Sequence, residues 1–165
     1  MVTASAAAAR AALAEVRDPE IPVLTIEDLG ILRRVSVDGE SVEVEITPTY
    51  LGCPAMDMIR ADAEAVLRRL GFAHIQVRTV LSPAWSTASM PATARRKLSA
   101  AGIAPPPAAP PPPAGLVTLP LRVEVRCPHC GSADTEERSH FSSTACTALY
   151  RCLACREPFQ HFKAH

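Results

Sequence analysis

Aromatic side chains are scarce in this 165-residue chain, at 4%. Hydrophobic residues still make up 48%, so a packed core is available, and it has to be aliphatic and Ala-rich. Net charge is also missing, because 17 Lys and Arg balance 17 Asp and Glu. A general nucleic-acid binder needs a basic excess to neutralise phosphates, and this balance argues against that class. Residues 1–103 carry 11 basic and 12 acidic side chains, and residues 116–165 carry 6 and 5, so neither part hides a basic module. No run of about 18 apolar residues occurs, which leaves no membrane-spanning helix. There is no Ser/His/Asp set, phosphate-binding Gly loop or H-E-x-x-H helix. The expectation is a protein that is not itself an enzyme.

The N-terminal stretch MVTASAAAARAALAEVRDPE lacks the charged start and Leu/Val block of a secretory signal. It reads as a helix of a mature cytoplasmic protein.

Proline and cysteine are plentiful, and each is concentrated in one place. Residues 105–113, PPPAAPPPP, hold seven prolines in nine positions. Proline fixes φ and donates no hydrogen bond, so this run reads as a polyproline-II spacer of roughly 28 Å. It divides the chain into an N-terminal domain (1–103), a linker (104–115) and a C-terminal module (116–165).

The N-terminal domain reads as helix at 4–17, strands at 31–37 and 42–47, helix at 54–70, a third strand through Ile75, Val77, Thr79 and Leu81, and a short helix at 91–101. Asp38-Gly39 is a hairpin signal between the first two strands. Met56, Ile59, Ala63, Val66, Leu67 and Leu70 make one apolar helix face, stopped by Gly71. The fold class is α+β, with helices packed on a three-stranded sheet. The C-terminal module is too small to fold on burial alone and reads as short strands near 123–126, 135–139, 148–151 and 159–163. An open edge on the N-terminal sheet would allow a homodimer.

Five of the six cysteines lie in the last forty residues. Cys127, Cys130, Cys152 and Cys155 form two C-x-x-C pairs separated by 21 residues. Each pair points two sulfurs to one side, and two facing turns complete a tetrahedron around zinc. Four protein ligands leave no open position, so the site reads as structural. Iron or an iron–sulfur cluster is the alternative, since thiolates suit both. Cys146 reads as a small buried hydrophobe, or else as a spare ligand or redox-sensitive thiol. His129 and His140 read as peripheral.

Cys53 stands alone in TPTYLGCPAMD (47–57), between a strand and the main helix. Pro54 suits a first helical position, placing Cys53 at the N-cap, where the helix dipole favours a thiolate. A plain core cysteine is the equal alternative on spacing alone. Asp18 and Glu20, in Asp18-Pro19-Glu20, and Asp28 read physically as ordinary caps of turns.

DPEIPVLTIEDLGIL (18–32), TPTYLGCPAMD (47–57) and SPAWSTASMPATARRKLSAAGIAPP (82–106) resemble the small iron–sulfur-assembly domain of the cytosolic iron–sulfur targeting factor and bacterial SufT. The tail CPHCGSADTEERSHFSSTACTALYRCLACREPFQHFK resembles the C-terminal zinc ribbon of the PaaD family, the D component of phenylacetyl-CoA epoxidase systems. Ser142 and Thr147 depart from that family's expected Gly and Lys, and neither is a proposed ligand. The resemblance implies an accessory role in aerobic phenylacetate catabolism. The partners it implies are the di-iron oxygenase and the reductase subunits, whose iron or iron–sulfur centres it would help mature. A structural or electron-transfer subunit is the alternative. The resemblance also makes Cys53, with Asp18 and Glu20, the expected place for transient iron or cluster handling.

Overall fold

A computed structural model describes residues 4–107 and 124–163. Its contacts divide the chain into two compact units, Met1–Ala94 and Arg95–His165.

The first unit opens with helix α1 (Ala6–Leu13), capped by the Ser5 hydroxyl, which accepts from the Ala8 N–H at 3.2 Å. The helix is shorter than expected because the chain turns back on itself. Ile26 N–H donates to Val16 O at 2.9 Å, Asp18 N–H donates to Leu24 O at 3.0 Å, and Arg17 and Thr25 form an antiparallel bridge. Residues 17–25 therefore make a closed loop rather than another helical turn.

Strands β1 (Leu32–Asp38) and β2 (Ser41–Ile46) form the expected hairpin, and β2 pairs in parallel with β3 (His74–Thr79). Helix α2 (Ala55–Arg69) provides the crossover between β2 and β3. The sheet order is β1-β2-β3, so β2 is central. Its Val42, Val44 and Ile46 are buried, and Glu43 and Glu45 lie on the other face, where both ion-pair with Arg78 of β3. Leu81, expected on the third strand, lies beyond its end and is exposed.

Helix α2 buries Ala55, Met56, Ile59, Ala63 and Leu67, the spacing of one helical face. Leu13, Leu24, Ile26, Leu29, Ile31, Val44, Ile46, Ile59 and Leu67 have at most 2% of their surface exposed, an aliphatic core as the composition requires. The single tryptophan, Trp85, is buried and donates its indole N–H to Leu29 O at 2.7 Å.

Helix α3 (Ala92–Ala100) follows and leads into β4 (Ile103–Ala104). Strands β5 (Thr135–Ser139), β6 (Thr147–Cys152) and β7 (Pro158–Phe162) complete a second sheet of order β4-β7-β6-β5. No strand forms over 124–126, although Val125 is buried there and its carbonyl accepts from the Thr135 hydroxyl at 2.7 Å. Residues 103 and 104 were expected to end the first domain and open the linker. Here both pair in parallel with β7, in the sheet of the second unit. Residues 108–115 of the expected linker, and Val123 of the expected strand, lie outside the described residues.

Candidate metal centre and thiol site

Each C-x-x-C pair sits in a turn whose backbone bonds repeat. Cys127 N–H donates to Ser132 O at 2.9 Å, and Cys152 N–H donates to Glu157 O at 3.0 Å, five residues ahead in both cases. The residue after the second cysteine is left-handed in both turns, Gly131 at φ 76° and Arg156 at φ 70°. Two copies of one local structure thus face each other. The second lies at the end of β6 and the start of β7, and the β5–β6–β7 ladders hold it in place.

The four sulfurs lie within 4.8 Å of one another. Cys127 Sγ is 3.7 Å from Cys155 Sγ, and Cys130 Sγ is 3.5 Å from Cys152 Sγ. Tetrahedral coordination at a metal–sulfur distance of about 2.3 Å requires sulfurs about 3.8 Å apart. The set fits a single tetrathiolate ion with little adjustment. The Cys155 N–H donates to Cys152 Sγ at 3.4 Å and holds that thiol down, to about 7. Cys127 and Cys152 are buried and Cys130 lies at the surface.

Cys146 stands outside the tetrad. It is buried, and Thr144 Oγ1 lies 3.1 Å from its sulfur. His129 and His140 are exposed, and His140 Nδ1 lies 3.2 Å from Glu137.

In the first unit, α2 begins at Ala55 with Pro54 as its cap residue, so Cys53 sits one position earlier than expected. The Ala55 N–H and the Tyr50 hydroxyl both act to lower its pKa. Burial dominates, however, and the charges of Glu20 and Asp18 add to it. The net effect pushes the Cys53 thiol up, opposite to the direction expected from a helix N-terminus alone. The three residues singled out from sequence are therefore electrostatic neighbours, brought together by the closed loop 17–25. Tyr50 was missed, although it lies only three residues before Cys53 in the same TYLGC turn.

Asp18 has a plain structural task as well. Its Oδ1 accepts from the Glu20 N–H at 2.9 Å and the Ile21 N–H at 2.8 Å. Asp28 does the same for the next turn, accepting from the Thr25 N–H at 3.0 Å while the Thr25 hydroxyl accepts from the Asp28 N–H at 3.1 Å. Both are caps, as read from the sequence. Burial raises the Asp18 pKa against the pull of its two backbone donors.

Residues 112–163 match the model of the PaaD zinc beta ribbon domain, and residues 6–80 match that of the iron-sulfur cluster assembly protein family. The putative D component of 1,2-phenylacetyl-CoA epoxidase from Escherichia coli (strain K12) is 46% identical over 153 residues, covering 93% of this chain and 89% of that protein. The chain belongs to the PaaD family. The resemblance carried by the two motif sets is borne out over nearly the whole sequence.

An Fe-S protein maturation auxiliary factor of Porphyromonas gingivalis (strain ATCC BAA-308 / W83) is 33% identical over 88 residues, 52% of this chain and 83% of that protein. The crystal structure of the domain of unknown function DUF59 from Bacillus anthracis superimposes with a TM-score of 0.53 at 30% identity, over 56% of this chain and 90% of that one. A conserved hypothetical protein of Thermotoga maritima gives 0.51 at 28% identity, over 59% and 98%. These establish the α+β assembly-type fold, to which this family adds the cysteine ribbon. Among the described residues, no helix is long and apolar enough to cross a membrane.

Proposed function

We propose that this protein is a non-catalytic accessory subunit of a phenylacetyl-CoA epoxidase, and that it assists maturation of an iron or iron–sulfur centre in the oxygenase or reductase subunit. The observation that carries the reading is the electrostatic proximity of Cys53 to Glu20 and Asp18 in the assembly-type unit. Cys53 is a half-buried thiol within electrostatic reach of two carboxylates, a soft donor for passing iron. Among the described residues only the ribbon cysteines bring their ligand atoms within 4.8 Å of one another, so this is no closed cage that would retain it. The thiol's raised pKa suits transient binding, because the protonated form competes with the metal. The family relationship to a protein named as an Fe-S maturation auxiliary factor supports the same reading.

The tetrad of Cys127, Cys130, Cys152 and Cys155 holds zinc in this proposal and serves structure. Its four thiolates leave no coordination position for a substrate.

The test is co-production of this protein, wild type or Cys53→Ser, with the oxygenase and reductase. The variant is expected to leave its partners deficient in iron, with epoxidase activity falling in proportion. Partners with full iron content and activity would refute cluster handling at Cys53. A coloured, redox-active protein carrying iron at the tetrad would favour electron transfer instead.

A further inference from the structure

The ribbon holds more than its own two knuckles. The segment leaving α3 touches both of them. Gly102 has φ 76° and lies under the ring of His129, whose Cε1 would sit 3.3 Å from a Cβ placed on the glycine. His129 lies between the metal-site residues Cys127 and Cys130. Ile103 and Ala104 pair with Gln160 and His161 of β7, the strand that follows the second knuckle. Ala104 is 1% exposed and packs in one apolar cluster with Val125, Phe159 and the ligands Cys127 and Cys152. The buried His161 donates its Nδ1–H to Ala104 O at 3.2 Å. Arg95 donates to the Pro107 carbonyl at 3.1 Å and also reaches that of Pro106, holding the start of the proline run against α3.

Two backbone residues form a negligible strand by themselves, and among the described residues β4 has no sheet partner except β7. Its docking surface consists of side chains and backbone of β7 and of the two knuckles, with Cys127 and Cys152 of the tetrad among them. We propose that metal loading of the tetrad controls docking of residues 102–107, so that losing the ion releases the segment joining α3 to the proline run. The coupling is reciprocal, as any linkage between binding and docking must be. A docked segment buries the inner ligands and slows loss of the ion, and a released one exposes them.

The test uses the full-length chain, loaded with one equivalent of zinc or stripped by a chelator, with amide exchange read by peptide. Peptides covering 101–107 are expected to exchange at least tenfold faster in the stripped protein, while those of α2 stay unchanged. Equal protection of 101–107 in both forms would overturn the proposal. The reverse arm uses zinc-loaded Gly102→Val, which puts a branched side chain against His129, and His161→Ala, which removes the bond to Ala104 without touching a ligand. Both are expected to speed exchange at 101–107 and to raise the rate of zinc transfer to a chromophoric chelator about tenfold, the lower range for loss of an outer-shell partner. Faster exchange with unchanged zinc transfer in both variants would also overturn it.

Discussion

Gly131 and Arg156 occupy equivalent positions, each immediately after the second cysteine of its knuckle, with φ of 76° and 70°. Only the glycine adopts this conformation without a Cβ penalty. Gly131→Ala is therefore expected to destabilise the metal-loaded ribbon by about 1 kcal/mol. Arg156→Gly is expected to stabilise it by less than about 1 kcal/mol, since glycine's extra freedom in the unfolded chain offsets part of the relief. Thermal melts of the zinc-loaded protein check both, and a loss of stability in Arg156→Gly would contradict the equivalence.

Cys53 should alkylate slowly at neutral pH. Burial, and behind it the charges of Glu20 and Asp18, push the Cys53 thiol up, so the midpoint of its alkylation rate against pH is expected above that of an ordinary free thiol. Tyr50→Phe removes a hydroxyl that lowers the pKa, and should move the midpoint higher still. Glu20→Gln should move it down. A wild-type midpoint below about 8.5, the ordinary range of a free thiol, would mean that the helix terminus outweighs burial.

Asp18 gives a stability test separate from any iron chemistry. Its folded-state pKa lies above 3.8, so the folded protein holds the proton more tightly than the unfolded chain. The resulting stabilisation is complete below pH 3.8 and is lost as pH rises through the folded value. Asp18→Asn keeps an oxygen for the Glu20 and Ile21 N–H groups and removes the buried charge. The variant is expected to be at least as stable as wild type at pH 7, with the gap closing towards acid. Denaturant titrations followed by fluorescence of Trp85, the only tryptophan, report on this unit. A variant that is stable yet fails to support iron loading would separate a functional carboxylate from a cap.

Ile59 on α2 has no exposed surface. Ile59→Ala is expected to cost about 2–5 kcal/mol, through lost burial and the cavity left behind. The same Trp85 signal measures it, and a cost under about 1 kcal/mol would mean that the core collapses around the gap.

Much of the site was legible in the chain because it is local. A C-x-x-C turn needs only adjacent residues, so both knuckles could be placed from spacing. Helix α2 announced itself by a 3.6-residue apolar period, and β1 and β2 by alternation around Asp38-Gly39. The caps at Asp18 and Asp28 follow from short-range side-chain geometry. The length of α1 was overestimated because Ala-rich helix propensity was outweighed by a backbone pairing between residues 16–18 and 24–26. The direction of the Cys53 shift was also misjudged. The helix terminus is visible in sequence, whereas burial and the approach of Glu20 and Asp18 are not.

The sequence alone determined the α+β class, the four-thiolate set and the place of the candidate thiol, because each depends on local periodicity or spacing, while the assembly-type reading came from the resemblance of its motifs. Tertiary structure decided that Asp18, Glu20 and Tyr50 act electrostatically on Cys53, and that Ile103 and Ala104 belong to the ribbon sheet. Those outcomes depend on contacts between residues far apart in the chain. A two-residue strand such as β4 has no period to read, and acquires its structure from β7 and the core around Cys127 and Cys152.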